Sequence, residues 1–140
     1  MTVKVKLIEG GKTPEFKTKG AVAADCYARL SEKITIQPKS RVLIPLGFVI
    51  ELPEGYEAVI RPRSGLTSKC IDVAIGTIDF DYRGEVKVCL INNTDDTFTV
   101  QNGDRICQMA IREVPSVSFI EVDELSDTER GSGGFGSTGV

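Results

Sequence analysis

Ten consecutive residues, Gly76-Thr77-Ile78-Asp79-Phe80-Asp81-Tyr82-Arg83-Gly84-Glu85, bring four charged side chains and a tyrosine into one short stretch. On a strand edge from Thr77 to Tyr82, the period-two rule puts Asp79 and Asp81 on the face of Thr77 and Tyr82 on the other. A bend brings them together, and Arg83-Gly84 is where the sequence suggests one. A carboxylate beside an aromatic ring at a bend can orient a water next to a stacked ring. The same residues also make an ordinary acidic hairpin.

A second segment, Arg61-Pro62-Arg63-Ser64-Gly65-Leu66, reads as a strand end running into a helical turn. Two guanidinium groups, a hydroxyl and amides at the start of a turn can converge on one anion. Two surface arginines and a helix cap would use the same residues. Gly103-Asp104-Arg105-Ile106-Cys107-Gln108 reads as a turn followed by a strand, with Asp104 and Arg105 as a local surface pair. The chain ends on Arg130-Gly131-Ser132-Gly133-Gly134-Phe135-Gly136-Ser137-Thr138-Gly139-Val140, too Gly-rich for its own secondary structure. A lone Arg and a lone Phe set in glycine suit an arm that grips a phosphate and covers a base. Gly131, Gly133 and Gly136 match G-x-G-x-x-G only in form, since no helix follows them.

These residues need a scaffold, and the pattern points to strands. Val3, Val5 and Leu7 alternate with lysines, and so do Ile34 and Ile36, and Val86, Val88 and Leu90, with polar or smaller neighbours. Similar runs lie near 41–51, 56–61, 97–100, 105–112 and 117–122. Turn formers separate them at Gln37–Ser40, Pro53–Gly55, Asn92–Asp96 and Asn102-Gly103. Many short strands joined by such turns predict an all-β sandwich or barrel, with one short helix over 64–70. After Val122 the character changes: residues 113–129 hold six acids and no base, ahead of the glycine-rich end. The organisation expected is a β domain over 1–122 and a flexible arm over 123–140.

Composition narrows the chemistry. At 140 residues the chain has room for one domain. It has no histidine, which removes His-based triads, His-metal sites and imidazole acid–base mechanisms. Its four cysteines, Cys26, Cys70, Cys89 and Cys107, are scattered, as reduced buried thiols would be. A net charge of −3 argues against a nucleic-acid coat. No apolar run reaches the roughly 20 residues of a spanning helix, so no membrane partner is expected. The N-terminus lacks an apolar signal region, and a cytoplasmic location is expected (for a viral chain, the host's cytoplasm or nucleus).

Taken together, the segments resemble the homotrimeric dUTP pyrophosphatase (dUTPase) family over nearly the whole chain. Its five motifs appear in order: Ala23–Ala28, Arg61–Leu66, Gly76–Glu85, Gly103–Gln108 and Arg130–Gly139. The resemblance implies a distorted jelly-roll/β-barrel subunit in a homotrimer, with active sites shared between subunits. It implies Mg²⁺-dependent hydrolysis of dUTP to dUMP and pyrophosphate, limiting uracil in DNA and supplying dUMP for dTMP. Asp79 would orient the attacking water, and Tyr82 would pack under the deoxyribose and exclude a ribose 2′-hydroxyl. A hairpin from Ile71 to Ile78, with Gly76, Thr77 and Ile78, would read the uracil edge through backbone groups, with Lys87 beside the substrate. Arg63, Ser64 and Gly65 would hold phosphate from a neighbouring subunit, with Gln108 nearby, and Asp25 would support Mg²⁺ through water. The arm would close the site, with Arg130 on the γ-phosphate and Phe135 and Gly136 at the uracil.

The chain departs from the family pattern at Ala23-Ala24, where Gly and a large residue are usual, at Cys26, where Leu is usual, and at Val73, where many relatives carry Asn. Two other readings use the same scaffold. A dCTP deaminase-like enzyme would release ammonia from dCTP, but the Gly-Thr-Ile-Asp-x-x-Tyr block and the arm favour dUTP. A nucleotide-sensing binding protein would not need the complete set of catalytic and phosphate-binding side chains.

Overall fold

Alternating side chains become sheet wherever their apolar half meets a common core. The computed structural model describes residues 1–134. Within them run β1 (Lys4–Leu7), β2 (Ala24–Tyr27), β3 (Ile34–Ile36), β4 (Ser40–Pro45), β5 (Phe48–Glu51), β6 (Tyr56–Arg61), α1 (Ser64–Thr67), β7 (Ile71–Val73), β8 (Gly76–Ile78), β9 (Lys87–Asn92), β10 (Phe98–Val100) and β11 (Arg105–Glu113). A four-stranded sheet β2-β11-β6-β8 and a three-stranded sheet β4-β9-β7 are joined by two ribbons, β1-β5 and β10-β3. Every pair is antiparallel. Inward side chains from these sheets, led by Phe48, Ile44, Leu46, Ile60, Leu90 and Ile106, form one core. This is the expected all-β fold, a distorted jelly roll with a single short helix among the described residues.

Two local features of the backbone matter for the site. In β11 the register slips between Arg105 and Cys107 opposite β2. A bulge of this kind seats one extra residue, so Ile106 and Cys107 are both buried. It also turns Arg105 onto the face of Gln108, although strict alternation would separate them. The second feature is Gly47, at φ +77, between β4 and β5. It breaks the stretch expected over 41–51 into two strands in different sheets. A side chain is doubly excluded there: φ is left-handed, and Arg29 Cδ stands 2.8 Å from where a Cβ would sit.

Other expectations change in the structure. The helix stops at Thr67 rather than reaching Cys70. Residues 71–78 are not a hydrogen-bonded hairpin. β7 pairs with β9 and β8 pairs with β6, so the two strands part into different sheets after a two-residue link. Each is the outer strand of its sheet among the described residues. β2 has no clear alternation, because all of Ala24, Asp25 and Cys26 are buried, and it escaped the sequence reading. The stretch 117–122 forms no strand: Val117, Phe119, Ile120 and Val122 stand exposed, Phe119 almost completely. The segment pairs with no strand among the described residues, and alternation without pairing does not make a strand. Of the thiols, only Cys26 and Cys107 are buried, while Cys70 is exposed and Cys89 lies between.

Candidate active site

Two clusters of chemically capable side chains emerge, and they lie apart. The first surrounds the end of β8. A cleft of about 400 Å³ is lined there by Gly76, Thr77, Ile78, Asp79, Tyr82 and Lys87, with Leu43, Ile60, Glu85 and Val86 completing its wall. Six of the predicted site residues therefore meet in one place. The chain bends at Gly84 as expected, and a second turn precedes it at Phe80-Asp81, where the Tyr82 amide donates to the Asp79 carbonyl at 3.1 Å. Arg83 Nη1 staples the turn by donating to the carbonyls of Phe80 (2.7 Å) and Tyr82 (3.0 Å). Asp79 is exposed at the mouth of the cleft, free to hydrogen-bond a water. Thr77 and Asp79 also line an adjoining hollow of about 470 Å³ that reaches Glu54–Glu57 and Val114–Ser116.

The second cluster sits where β2, β11 and the end of β6 run side by side. Asp25, Gln108 and Arg61 occupy one cross-strand row. Asp25 is 3% exposed, the one buried acidic side chain among the described residues. Gln108 Nε2 donates to its Oδ1 at 3.0 Å, Arg105 Nη1 donates to its Oδ2 at 3.1 Å, and Arg63 Nε stands 3.4 Å from Oδ1. Arg63 Nη1 also donates to the Arg105 carbonyl at 2.7 Å. One carboxylate thus braces two guanidinium groups, and the cluster keeps a net positive charge that suits an anion. Ser64 and Gly65 open α1 immediately beyond. A Cβ on Gly65 would meet nothing within 4 Å, so neither packing nor backbone demands glycine there, and the space is open to a ligand's approach.

Arg105 was expected as a surface partner of Asp104. Instead the bulge turns it to Asp25, while Asp104 Oδ2 accepts the Gln101 amide at 2.8 Å. Its role, like that of Arg29 and Glu85 described below, depends on partners dozens of residues away, and no local spacing announces them. The Cys107 thiol is pushed far up by its hydrogen bond with Cys26 and by burial, so it stays protonated behind this cluster.

The donors around Asp25 do not make a closed cation site. Both carboxylate oxygens are already engaged, and no group of three His, Cys, Asp or Glu side chains converges among the described residues. With its oxygens taken by Gln108, Arg63 and Arg105, Asp25 offers no inner ligand to a magnesium ion, which would have to draw its inner ligands from water and phosphates.

The two clusters stand at opposite edges of the four-stranded sheet. Three inter-strand steps and four residues along the strands separate Asp25 from Asp79, about 20 Å in all. One triphosphate cannot touch both within a single chain. Arg130 lies with neither cluster: it closes a local turn, its Nε donating to the Gly133 carbonyl at 2.9 Å. Phe135 and Gly136 lie outside the described residues.

Against this geometry stand the likenesses to known proteins. The sequence pattern of the dUTPase family matches residues 10–139. A deoxyuridine 5'-triphosphate nucleotidohydrolase of Rhizobium rhizogenes is 50% identical over 91% of this chain and 85% of its own length. One from Treponema denticola is 48% identical over 100% and 99%. Among solved structures, the Staphylococcus bacteriophage 80alpha dUTPase with dUPNHPP superposes with a TM-score of 0.91 at 26% identity, covering 99% of each chain.

Proposed function

The chain belongs to the dUTPase family, and from that premise we propose how its residues share the work of hydrolysis. The reaction is the conversion of dUTP and water to dUMP and pyrophosphate. Water oxygen bonds to the α-phosphorus, the bond from that phosphorus to the bridging oxygen breaks, and pyrophosphate leaves with the electron pair. Asp79 orients the water by accepting its hydrogen bond, and draws off its proton as the new bond forms. Tyr82 lies under the deoxyribose, leaving no room for a 2′-hydroxyl. The unpaired edges of β7 and β8, with Gly76, Thr77 and Ile78, offer main-chain donors and acceptors to the uracil, and Lys87 stands beside the substrate.

The observation that carries this reading is the separation of Asp79 from the Asp25–Arg63–Arg105–Gln108 cluster within one chain. A complete site needs both halves, so Arg63, Ser64, Gly65 and Gln108 serve the phosphates bound at a neighbouring copy's Asp79. That makes the working unit an oligomer, and we assign it as the trimer of the family. The exposed apolar segment 117–122 supports this, since a neighbouring copy could cover it. We place the β domain at 1–122 and a closing arm at 123–140, with Arg130 on the γ-phosphate and Phe135 and Gly136 at the uracil. Asp25 would reach a Mg²⁺ carried by the triphosphate only through water, and the chemistry that ion would supply is neutralisation of charge on the leaving pyrophosphate. We assign the protein to the cytoplasm, and no helix among the described residues is long and apolar enough to cross a membrane.

The test is a mixing experiment. Asp79→Asn and Arg63→Ala are each expected to lose most pyrophosphate release from dUTP with Mg²⁺, while Asp79→Asn still binds nucleotide. Unfolding and refolding the two variants together should restore activity, because some sites then draw an intact Asp79 and an intact Arg63 from different copies. No recovery on mixing would mean that each site is built within one chain. Ammonia release from dCTP would instead favour the deaminase reading.

A further inference from the structure

Glu85 completes the wall of the cleft, and its carboxylate is held by partners from elsewhere in the chain. Its side chain is 18% exposed and accepts three bonds: from Arg29 Nε at 3.0 Å, from Arg29 Nη2 at 3.3 Å and from the Gly47 amide at 3.1 Å. A bidentate fork of this kind fixes orientation as well as distance. The Gly47 end is itself immobile, because its carbonyl is packed on Gly11 so closely that a Cβ there would overlap it. The next residue is pinned too: Leu46 donates its amide to the Val86 carbonyl, and Val86 donates to the Phe48 carbonyl, each at 2.9 Å. Glu85 is thus tied to the chain beyond β2 and to the β4–β5 link.

Tyr82 rests on this anchor. Its Oη donates to the Glu85 carbonyl at 3.2 Å. Its ring lies across Gly84 so closely that a Cβ on Gly84 would overlap the phenol carbons and oxygen. Gly84 has no left-handed φ, so the ring is what requires glycine there. One side of the ring is seated, and the rest, 44% exposed, forms part of the wall of the cleft beside Asp79.

We propose that Gly84 and Glu85, held by Arg29, are specificity-determining positioning residues. They set how far the Tyr82 ring stands into the cleft, and hence how strictly a 2′-hydroxyl is refused. This rests on the reading of Tyr82 as the deoxyribose wall. A Cβ at residue 84 unseats the ring, and weakening the Arg29–Glu85 fork lets its support drift. No hydrogen bond joins Gly84 or Glu85 to Asp79, which opens the turn. The effect therefore falls on sugar discrimination and KM more than on kcat.

The experiment compares kcat and KM for dUTP and UTP in the wild-type chain, Tyr82→Ala, Gly84→Ala and Glu85→Gln, with urea midpoints recorded for each. Expected is a rise of tenfold or more in the ratio of kcat/KM for UTP to that for dUTP in both Tyr82→Ala and Gly84→Ala. Gly84→Ala should also raise KM for dUTP. Glu85→Gln keeps the side-chain shape and should move the ratio the same way by a few-fold. A raised ratio in Tyr82→Ala with unchanged ratios in folded Gly84→Ala and Glu85→Gln overturns the inference while the reading of Tyr82 stands. An unchanged ratio in Tyr82→Ala overturns that reading and this inference with it. If Gly84→Ala does not fold, Glu85→Gln carries the comparison alone by the same criteria.

Discussion

Asp25→Asn separates a carboxylate that braces two arginines from one that is merely buried. The replacement keeps shape and volume but removes the charge. Asparagine's single side-chain oxygen can keep the bond from Gln108, but its amide nitrogen then faces Arg105, donor against donor. Hydrogen bonds to a charged partner contribute about 1.5–3 kcal/mol. Arg105 is 46% exposed and can turn to water, and removing a buried charge returns part of the desolvation cost. The net loss expected is about 2 kcal/mol, which for a chain of this size lowers Tm by roughly 4–8 °C. The assay is urea denaturation at one protein concentration, so that the proposed assembly contributes equally to every variant, with an unchanged slope as the check on the two-state reading. Glu51→Gln is the control. Its pair with Lys4 at 2.7 Å is solvent-exposed on both sides, and its loss should leave the urea midpoint unmoved. If Asp25→Asn proved as stable as this control, the brace would contribute nothing and the orientation of Arg63 and Arg105 would need another cause.

Other perturbations address the core, the thiols and the arm. Phe48→Ala empties a fully buried site and should cost about 3–5 kcal/mol in urea denaturation; a loss under 1 kcal/mol would mean that the core collapses into the gap. In the native protein a thiol reagent should modify Cys70 at once and leave Cys26 and Cys107 untouched until denaturant is added. Because the folded Cys107 thiol is raised, its contribution is complete below the unfolded value of about pH 8.5. Above it, stability falls as pH rises, and Cys107→Ala should flatten that fall. Removing residues 130–140 should sharply lower turnover of dUTP while the urea midpoint holds, and unchanged kinetics would leave the arm without a role.

Sequence periodicity found the strands whose two faces differ. In β9 only the inward set, Val88, Leu90 and Asn92, is buried, and the alternation shows it. It failed where burial does not alternate. Consecutive buried residues hid β2, and a left-handed glycine divided 41–51 without disturbing its pattern. Over 117–122 the alternation finds no partner strand among the described residues. At the site, the motifs located Asp79, Tyr82 and Arg63 because each carries its neighbours in sequence. Arg29 lies 56 residues before Glu85, and Asp25 lies 80 before Arg105. Those pairings arise from strand register and a bulge, which no single segment encodes.

The parting of β7 from β8 constrains what mutation can do to such a site. A base held by peptide amides and carbonyls is recognised by atoms common to every amino acid, so most codon changes along these two strands alter a side chain and leave the contact in place. Only events that shift or interrupt the chain itself, such as an insertion, a deletion or a proline, reach the groups that matter. On the proposed reading of β7 and β8, drift toward another pyrimidine faces a gap that small steps do not cross.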